Sequence, residues 1–193
     1  MKYDGMYYDL ILDYDTSSSV SWAGNTYRVA NFDKYKPIIV NEKIYVKIDD
    51  DEEPLLGDFL SLPKNIWSKR AKEIIEEYVP FGSQFFPIIV KHRGKEYSDY
   101  FILNCHNEIK AMHEGRSDFT MSRSGLSYFI NSLSLDEEML DKIPEEQRMI
   151  FVMEEKAAMV LYHEKLVKAL EAENVTGVSF VKVNDWSIGS SFD

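Results

Sequence analysis

The chain has 193 residues, 45% hydrophobic and 28% charged, which is ordinary for a globular protein and excludes disorder over most of its length. Lysine and arginine number 22 against 33 aspartates and glutamates, a net charge of −11. That field repels phosphate backbones and anionic lipid, so neither nucleic acid nor a membrane is expected as a partner, while a basic protein is favoured by charge steering.

The single cysteine, Cys105, excludes an intramolecular disulfide framework. The N-terminus places Asp4 where a secretory signal would be apolar, and no run approaches the roughly 20 apolar residues that span a bilayer. A cytoplasmic protein is expected.

In chain order, Tyr, Leu and Ile alternate with Asp over residues 1–15, which predicts a strand with one wet face. Val20–Trp22 and Thr26–Val29 flank Ala23-Gly24-Asn25, a hairpin signal, and Pro37–Ile48 reads as further strand. Asp49-Asp50-Asp51-Glu52-Glu53 is a run of like charges closed by Pro54, and reads as solvated loop. Ser68 is placed to cap a helix whose apolar positions Ala71, Ile74, Ile75 and Tyr78 follow helical spacing, and Pro80 and Gly82 end it. Gln84–Val90 is a strand in which Pro87 suggests an edge or a bulge, and Tyr97–Leu103 is another.

Asn104–His113 is expected as a short helix stopped by Gly115, and residues 116–133 carry mixed signals. Ser134-Leu135-Asp136-Glu137 looks like a capping box opening a helix that Pro144 closes. Met149–Met153 is read as strand, Tyr162 to about Glu173 as helix, Asn174 and Gly177 as a turn, and Val178–Val183 as the last strand. The ending from Trp186 is expected to be loose.

Two stretches match at a constant separation of 95 residues. Ile66-Trp67-Ser68 lies over Leu161-Tyr162-His163, the helix positions Ala71, Ile74 and Ile75 over Leu166, Ala169 and Leu170, Gly82 over Gly177 and Phe85 over Phe180. The predicted fold is therefore α+β, with two similar strand–helix–strand units and an N-terminal β-rich segment. The segment is expected over residues 1–56 and the α+β region over 57–193, packed as one compact unit.

Neutral-pH chemistry has few candidates. Cys105, His106 and His113 would not be aimed at one ion by one short helix, and no CxxC or HExxH pattern supplies further ligands. Cys105 reads as a small buried apolar residue, and His163, at a helix start, as a neutral and exposed imidazole. The acidic run lacks the alternating spacing of a calcium loop, and no glycine-rich phosphate loop or nucleophile elbow occurs. No cofactor, metal or catalytic residue is expected. The residues available as partner contacts are Tyr7, Tyr8, Trp22 and Trp186 as aromatic anchors, with Asp49, Asp50 and Asp51 as an acidic docking run. For Trp22 a place in the core is the competing reading, and for the acidic run plain solvation.

Three stretches together resemble a bacterial family. They are Phe59–Pro63 leading into Ile66–Glu76, then Gln84–Ile88, then Tyr100–Asn107 with Ile109 and Ala111. This looks like immunity protein family number eleven of the polymorphic toxin systems, over roughly residues 37 to 183. The resemblance implies a cytoplasmic antidote, encoded beside a secreted toxin, that binds and blocks it stoichiometrically. It implies no catalytic residues. A small-molecule binder or enzyme is the alternative reading of the residues alone.

Overall fold

The computed structural model describes residues 1–24, 36–49, 53–61, 65–78, 80–122 and 128–190. Its strands are β1 (Tyr7–Leu12), β2 (Ser21–Trp22), β3 (Ile44–Lys47), β4 (Phe59–Leu60), β5 (Ile66–Ser68), β6 (Ser83–His92), β7 (Lys95–Cys105) and β8 (Glu108–Ile109), followed by β9 (Asp118–Met121), β10 (Tyr128–Ser132), β11 (Ile150–Met153), β12 (Lys156–His163) and β13 (Val178–Lys182). The helices are α1 (Lys69–Glu77), α2 (Glu137–Asp141) and α3 (Glu164–Ala172). Two mixed sheets have the orders β2-β3-β6-β7-β5-β4 and β13-β1-β12-β11-β8, and β9 and β10 form a separate hairpin. Only β3 with β6 and β8 with β11 run parallel. The fold is α+β.

The strand–helix–strand repeat is present in the backbone. The nine residues of α1 and the nine of α3 are related by the 95-residue offset without a gap. Ser68 Oγ accepts from Ala71 N–H at 3.1 Å, and His163 Nδ1 accepts from Lys165 N–H at 3.2 Å, so each unit caps its helix from the last residue of the preceding strand. After each helix a glycine takes a positive φ, +68° at Gly82 and +85° at Gly177. A side chain would be strained at either site: a Cβ on Gly82 would lie 2.6 Å from Asn107 Cβ, and one on Gly177 would meet the carbonyl of Phe59.

The repeat extends beyond the sequence match. In the first sheet β7 lies antiparallel between β5 and β6; in the second β1 lies antiparallel between β12 and β13. The registers agree residue for residue. Ser68 pairs with Tyr100 as His163 pairs with Tyr7, and Trp67 with Phe101 as Tyr162 with Tyr8. At the far end His106 N–H donates to Gly82 C=O at 2.7 Å, and Asp13 N–H to Gly177 C=O at 3.1 Å. Each unit is thus two hairpin strands, a helix and two further strands, and the last strand of the second unit comes from the N-terminus. For this reason a boundary at 56/57 does not divide the molecule: β1 sits inside the sheet that carries α3, and β3 is bonded to β6.

Alternation along the strands builds three cores. Between the sheets, Phe59, Trp67, Ala71, Ile75 and Leu103 of one unit meet Tyr8, Ile150, Tyr162, Leu166 and Leu170 of the other. The next residue along each strand points outward: Leu60, Ile66, Tyr100 and Ile102 join Ile44, Val46 and Val90, while Tyr7, Phe151 and Leu161 join Ile130, Leu135, Leu140 and Trp186.

Several expected elements differ. Asn104–His113 is not a helix. β7 runs through Cys105, and residues 107–109 are captured by β11, with Val152 N–H on Asn107 C=O at 2.8 Å and Glu154 N–H on Ile109 C=O at 3.1 Å. The next backbone amides, Ala111 and Met112, donate to the buried Glu155 carboxylate at 3.3 and 3.0 Å. Residues 156–163 are strand, so the last helix starts at Glu164, not at Tyr162. The cap of α2 is Asp136, accepting from Met139 N–H at 3.1 Å, while Ser134 Oγ donates to buried Asp4 at 2.9 Å. The described part of the ending is held: Ser187 bridges to Ser132, and Ile188 N–H donates to Asn131 C=O at 3.0 Å. Pro87 falls one residue before the first β3 partner and beside a register shift between Ile88 and Val90. The second arm of the hairpin expected after Gly24 lies outside the described residues.

Candidate functional site

Three of the expected aromatic anchors are inside the protein. Tyr7 is 0%, Trp186 6% and Tyr8 9% exposed. Tyr7 Oη donates to Arg148 C=O at 3.1 Å and accepts from Arg148 Nη1 at 2.9 Å, so its hydroxyl is satisfied internally. Trp186 Nε1 donates to Asp9 at 3.0 Å, and Lys156 Nζ sits 4.2 Å from the centre of its ring. Tyr7 and Tyr8 are buried because β1 is a paired interior strand, and Trp186 packs into the same core as Tyr7. Trp22 is half-buried against the cluster that contains Val46. Asp49 is exposed, accepting from Ser21 Oγ at 2.9 Å and Lys47 Nζ at 2.6 Å. Asp50 and Asp51 lie outside the described residues.

The nucleophile and imidazole candidates are dispersed over the fold. Cys105 is buried in the middle core, and desolvation pushes its thiol up to about 11, which keeps it protonated at neutral pH. Its neighbour His106 has its pKa lowered by burial. His163 is neutral as expected but fully buried, not exposed. Desolvation lowers its pKa, Nδ1 is occupied as the helix cap, and its ring meets Tyr7 edge-on at 5.2 Å. Among the described residues no group of three or more His, Cys, Asp or Glu is placed to hold a metal ion, and no helix is long and apolar enough to cross a membrane.

The densest polar constellation joins the two units. Asp58 accepts from Ser68 Oγ at 2.7 Å, from Thr176 N–H at 3.0 Å and from the guanidinium of Arg70. Arg70 Nη1 reaches on to Glu173 C=O at 2.7 Å. Burial alone would raise the Asp58 carboxyl, but the Arg70, Ser68 and Thr176 bonds outweigh it and hold it below the usual range. Beside this knot a cleft of about 490 Å³ is lined by Lys69, Glu73, Asp99 and Tyr100. Because Asp58 and Arg70 are engaged with each other, the constellation acts as a clasp between the units.

Exposed apolar groups are found elsewhere. Phe129 is 58%, Met121 51% and Ile188 57% exposed, on or beside the β9–β10 hairpin. On β10 Phe129 points out while Ile130 points into the core, and Ile188 lies next to the same strand. Sequence reasoning missed this surface because residues 116–133 show no single periodicity; alternation around Ile130 was the one available signal. The margin of β13 is a second open feature, since among the described residues no strand pairs with its outer side.

The arrangement defines a duplicated α+β protein whose polar groups are largely spent on its own packing and whose open features are strand margins and apolar side chains. No curated protein matches the chain. The sequence model of the immunity protein family Imm11 matches residues 26–185, which covers α1, α2, α3 and both turn glycines, and the chain belongs to this family.

Proposed function

We propose that this chain is the antidote of a bacterial toxin, acting in the cytoplasm by binding the toxin stoichiometrically and covering its working surface, without turning over a substrate. Membership of the immunity protein family over residues 26–185 carries the reading. The net charge of −11 supports a basic toxin face as the target, because opposite fields speed encounter. Of the contact residues expected from sequence, Asp49 is exposed and bonded to Ser21, Trp22 is half-buried on the neighbouring β2, and Asp50 and Asp51 lie outside the described residues. Trp22 and the acidic run Asp49, Asp50 and Asp51 are the proposed contacts.

Co-expression tests it. Cells producing the C-terminal toxin domain encoded beside this chain should survive when the chain is made and die when it is not. Death in both cases, with the chain soluble and folded, would remove the antidote reading.

A further inference from the structure

The duplication allows one unit to be compared with the other. In the first unit a segment from earlier in the chain lies against the outer side of β6. Gln84 grips a passing segment with both ends of its amide: Ile38 N–H donates to Oε1 at 3.0 Å, and Nε2 donates to Ile38 C=O at 3.2 Å. Asn104 on β7 donates to Lys36 C=O at 3.1 Å. From Ile88 to Lys91, β3 then lies parallel to β6. Residues 36–47 thus form a limb that crosses the outer face at Gln84 and Asn104 and pairs with the edge at Ile88–Lys91, and Asn104 is only 4% exposed beneath it.

In the second unit β13 stands in the place of β6. By the matched registers Ser179 corresponds to Gln84 and Ile11 to Asn104. Among the described residues no strand takes the place of the limb. Ser179 is exposed, and Ile11, an apolar side chain where the other unit has a buried amide, is half-exposed. The residues matching the β3-paired stretch of β6 turn away as the 3-10 helix Val183–Asp185, so the open margin is that of Val178–Lys182.

An open strand margin presents backbone donors and acceptors that need partners, and native edges are usually blunted by proline, bulges or charge. β13 contains no proline, keeps an unbroken five-pair register with β1, and has Lys182 at its end as its one charge.

We propose that this margin receives an extended segment of the toxin, which adds to β13 as a parallel strand and lays apolar side chains on Ile11. It would take in the second unit the place residues 36–47 take in the first. The proposal rests on the antidote reading and adds where and how the toxin is held. Main-chain bonds supply affinity in such strand addition, and alternate side chains supply selectivity. A second copy of this chain is disfavoured as occupant on two grounds. Two copies carrying −11 each repel, and two β13 strands related by a two-fold axis would run antiparallel, unlike β3 on β6.

Hydrogen–deuterium exchange on the free chain and on its mixture with the purified toxin domain from the adjacent reading frame tests this. Peptides covering Val178–Lys182 should exchange at least tenfold more slowly in the complex. Two variants accompany the measurement: Lys182→Pro, which removes an outward backbone donor from the edge at a residue whose φ of −61° suits proline, and Ile11→Lys, which charges the open face while leaving the backbone intact. Each should weaken association at least tenfold with far-UV circular dichroism unchanged; if Lys182→Pro misfolds, Ile11→Lys carries the test. A complex that forms with protection elsewhere, and with Ile11→Lys binding normally, overturns the proposal and leaves the antidote reading standing. Absence of any complex overturns the antidote reading itself. Protection of β13 in concentrated toxin-free samples that sediment as dimers assigns the margin to a second copy and also overturns the proposal.

Discussion

Tyr7 and Tyr100 are the same residue in two copies of one unit. Each is buried on the strand that lies between the two strands flanking the helix. Each donates its hydroxyl to a main-chain carbonyl preceding the hairpin: Tyr7 to Arg148 at 3.1 Å, Tyr100 to Gly57 at 3.0 Å. Burial pushes both phenols up to about 12, so both remain donors over the whole working range of pH. The neighbouring backbone bonds repeat as well, with Ser68 N–H on Asp58 C=O at 2.7 Å and His163 N–H on Met149 C=O at 2.9 Å. The two tyrosines are not equivalent in one respect: Tyr7 also accepts from the buried Arg148 guanidinium, whereas among the described residues no cation donates to the Tyr100 hydroxyl.

That difference sets the first prediction. Tyr100→Phe should cost about 1 kcal/mol, the net worth of one ordinary hydrogen bond. Tyr7→Phe should cost about 2–3 kcal/mol, because it also strips a partner from a buried charge. Urea unfolding of the two variants measures both; equal losses would mean that the Arg148 contact contributes nothing.

Ile75 and Leu170 occupy matched positions on α1 and α3 and are both fully buried in the middle core. Replacing either by Ala should cost about 2–5 kcal/mol. Because that core is built from both units, each variant should still unfold in one transition seen equally by tryptophan fluorescence and far-UV circular dichroism. Separate transitions would mean that the two units fold independently.

The turn glycines should tolerate nothing larger. Gly82→Ala and Gly177→Ala each combine a left-handed backbone with a Cβ driven into packed atoms, Asn107 in one case and Phe59 in the other. Losses of about 2 kcal/mol or more are expected from strain of this kind. Gly24→Ala, with φ at +67° but no atom of the described residues within 4 Å of its Cβ, should cost less. Thermal melts rank the three.

Two carboxylates give opposite pH dependence. Burial pushes Asp9 up to about 6 from 3.8, with Leu10 N–H, Trp186 Nε1 and Lys156 opposing. Between those values the native state holds more proton than the unfolded chain, so this site's penalty is absent near pH 4, grows as pH rises and is complete above about 6. Asp58 is held below 3.8, so its contribution is full above that value and is lost only as pH falls through its lowered pKa. Asp9→Asn should therefore raise stability at pH 7 by about 1–3 kcal/mol and flatten the slope between pH 4 and 6. Denaturant midpoints over that range decide; a steeper slope in the variant would reverse the sign assigned to Asp9.

The repeat was legible because helix spacing and a turn glycine are local signals, carried by Ile75, Gly82 and their counterparts Leu170 and Gly177, while the capping side chain changes from the Ser68 hydroxyl to the His163 imidazole. The strand that completes the second unit was not. β1 is supplied from the opposite end of the chain, and nothing in Tyr7–Leu12 states that it pairs with Val178–Lys182. For the same reason Tyr7, Tyr8 and Trp186 read as candidate anchors while serving as core. Residues 104–113 show the other limit, since a short amphipathic pattern was overridden by β11 and by the buried Glu155. Alternation at Ile130 was visible, but the outward Phe129 could be recognised only once the hairpin was seen to cover the core on one face.

The central claim is that the chain works by forming a complex. Sedimentation and titration calorimetry of the purified chain with the toxin domain encoded beside it test that claim directly. The account predicts a single 1:1 species with toxin activity abolished at equivalence. It also predicts association slowed by salt more than dissociation is hastened, since surface charges are screened beyond about 8 Å at physiological ionic strength. Full protection at chain concentrations far below those of the toxin, with no complex detected, would contradict it and make the chain a catalyst.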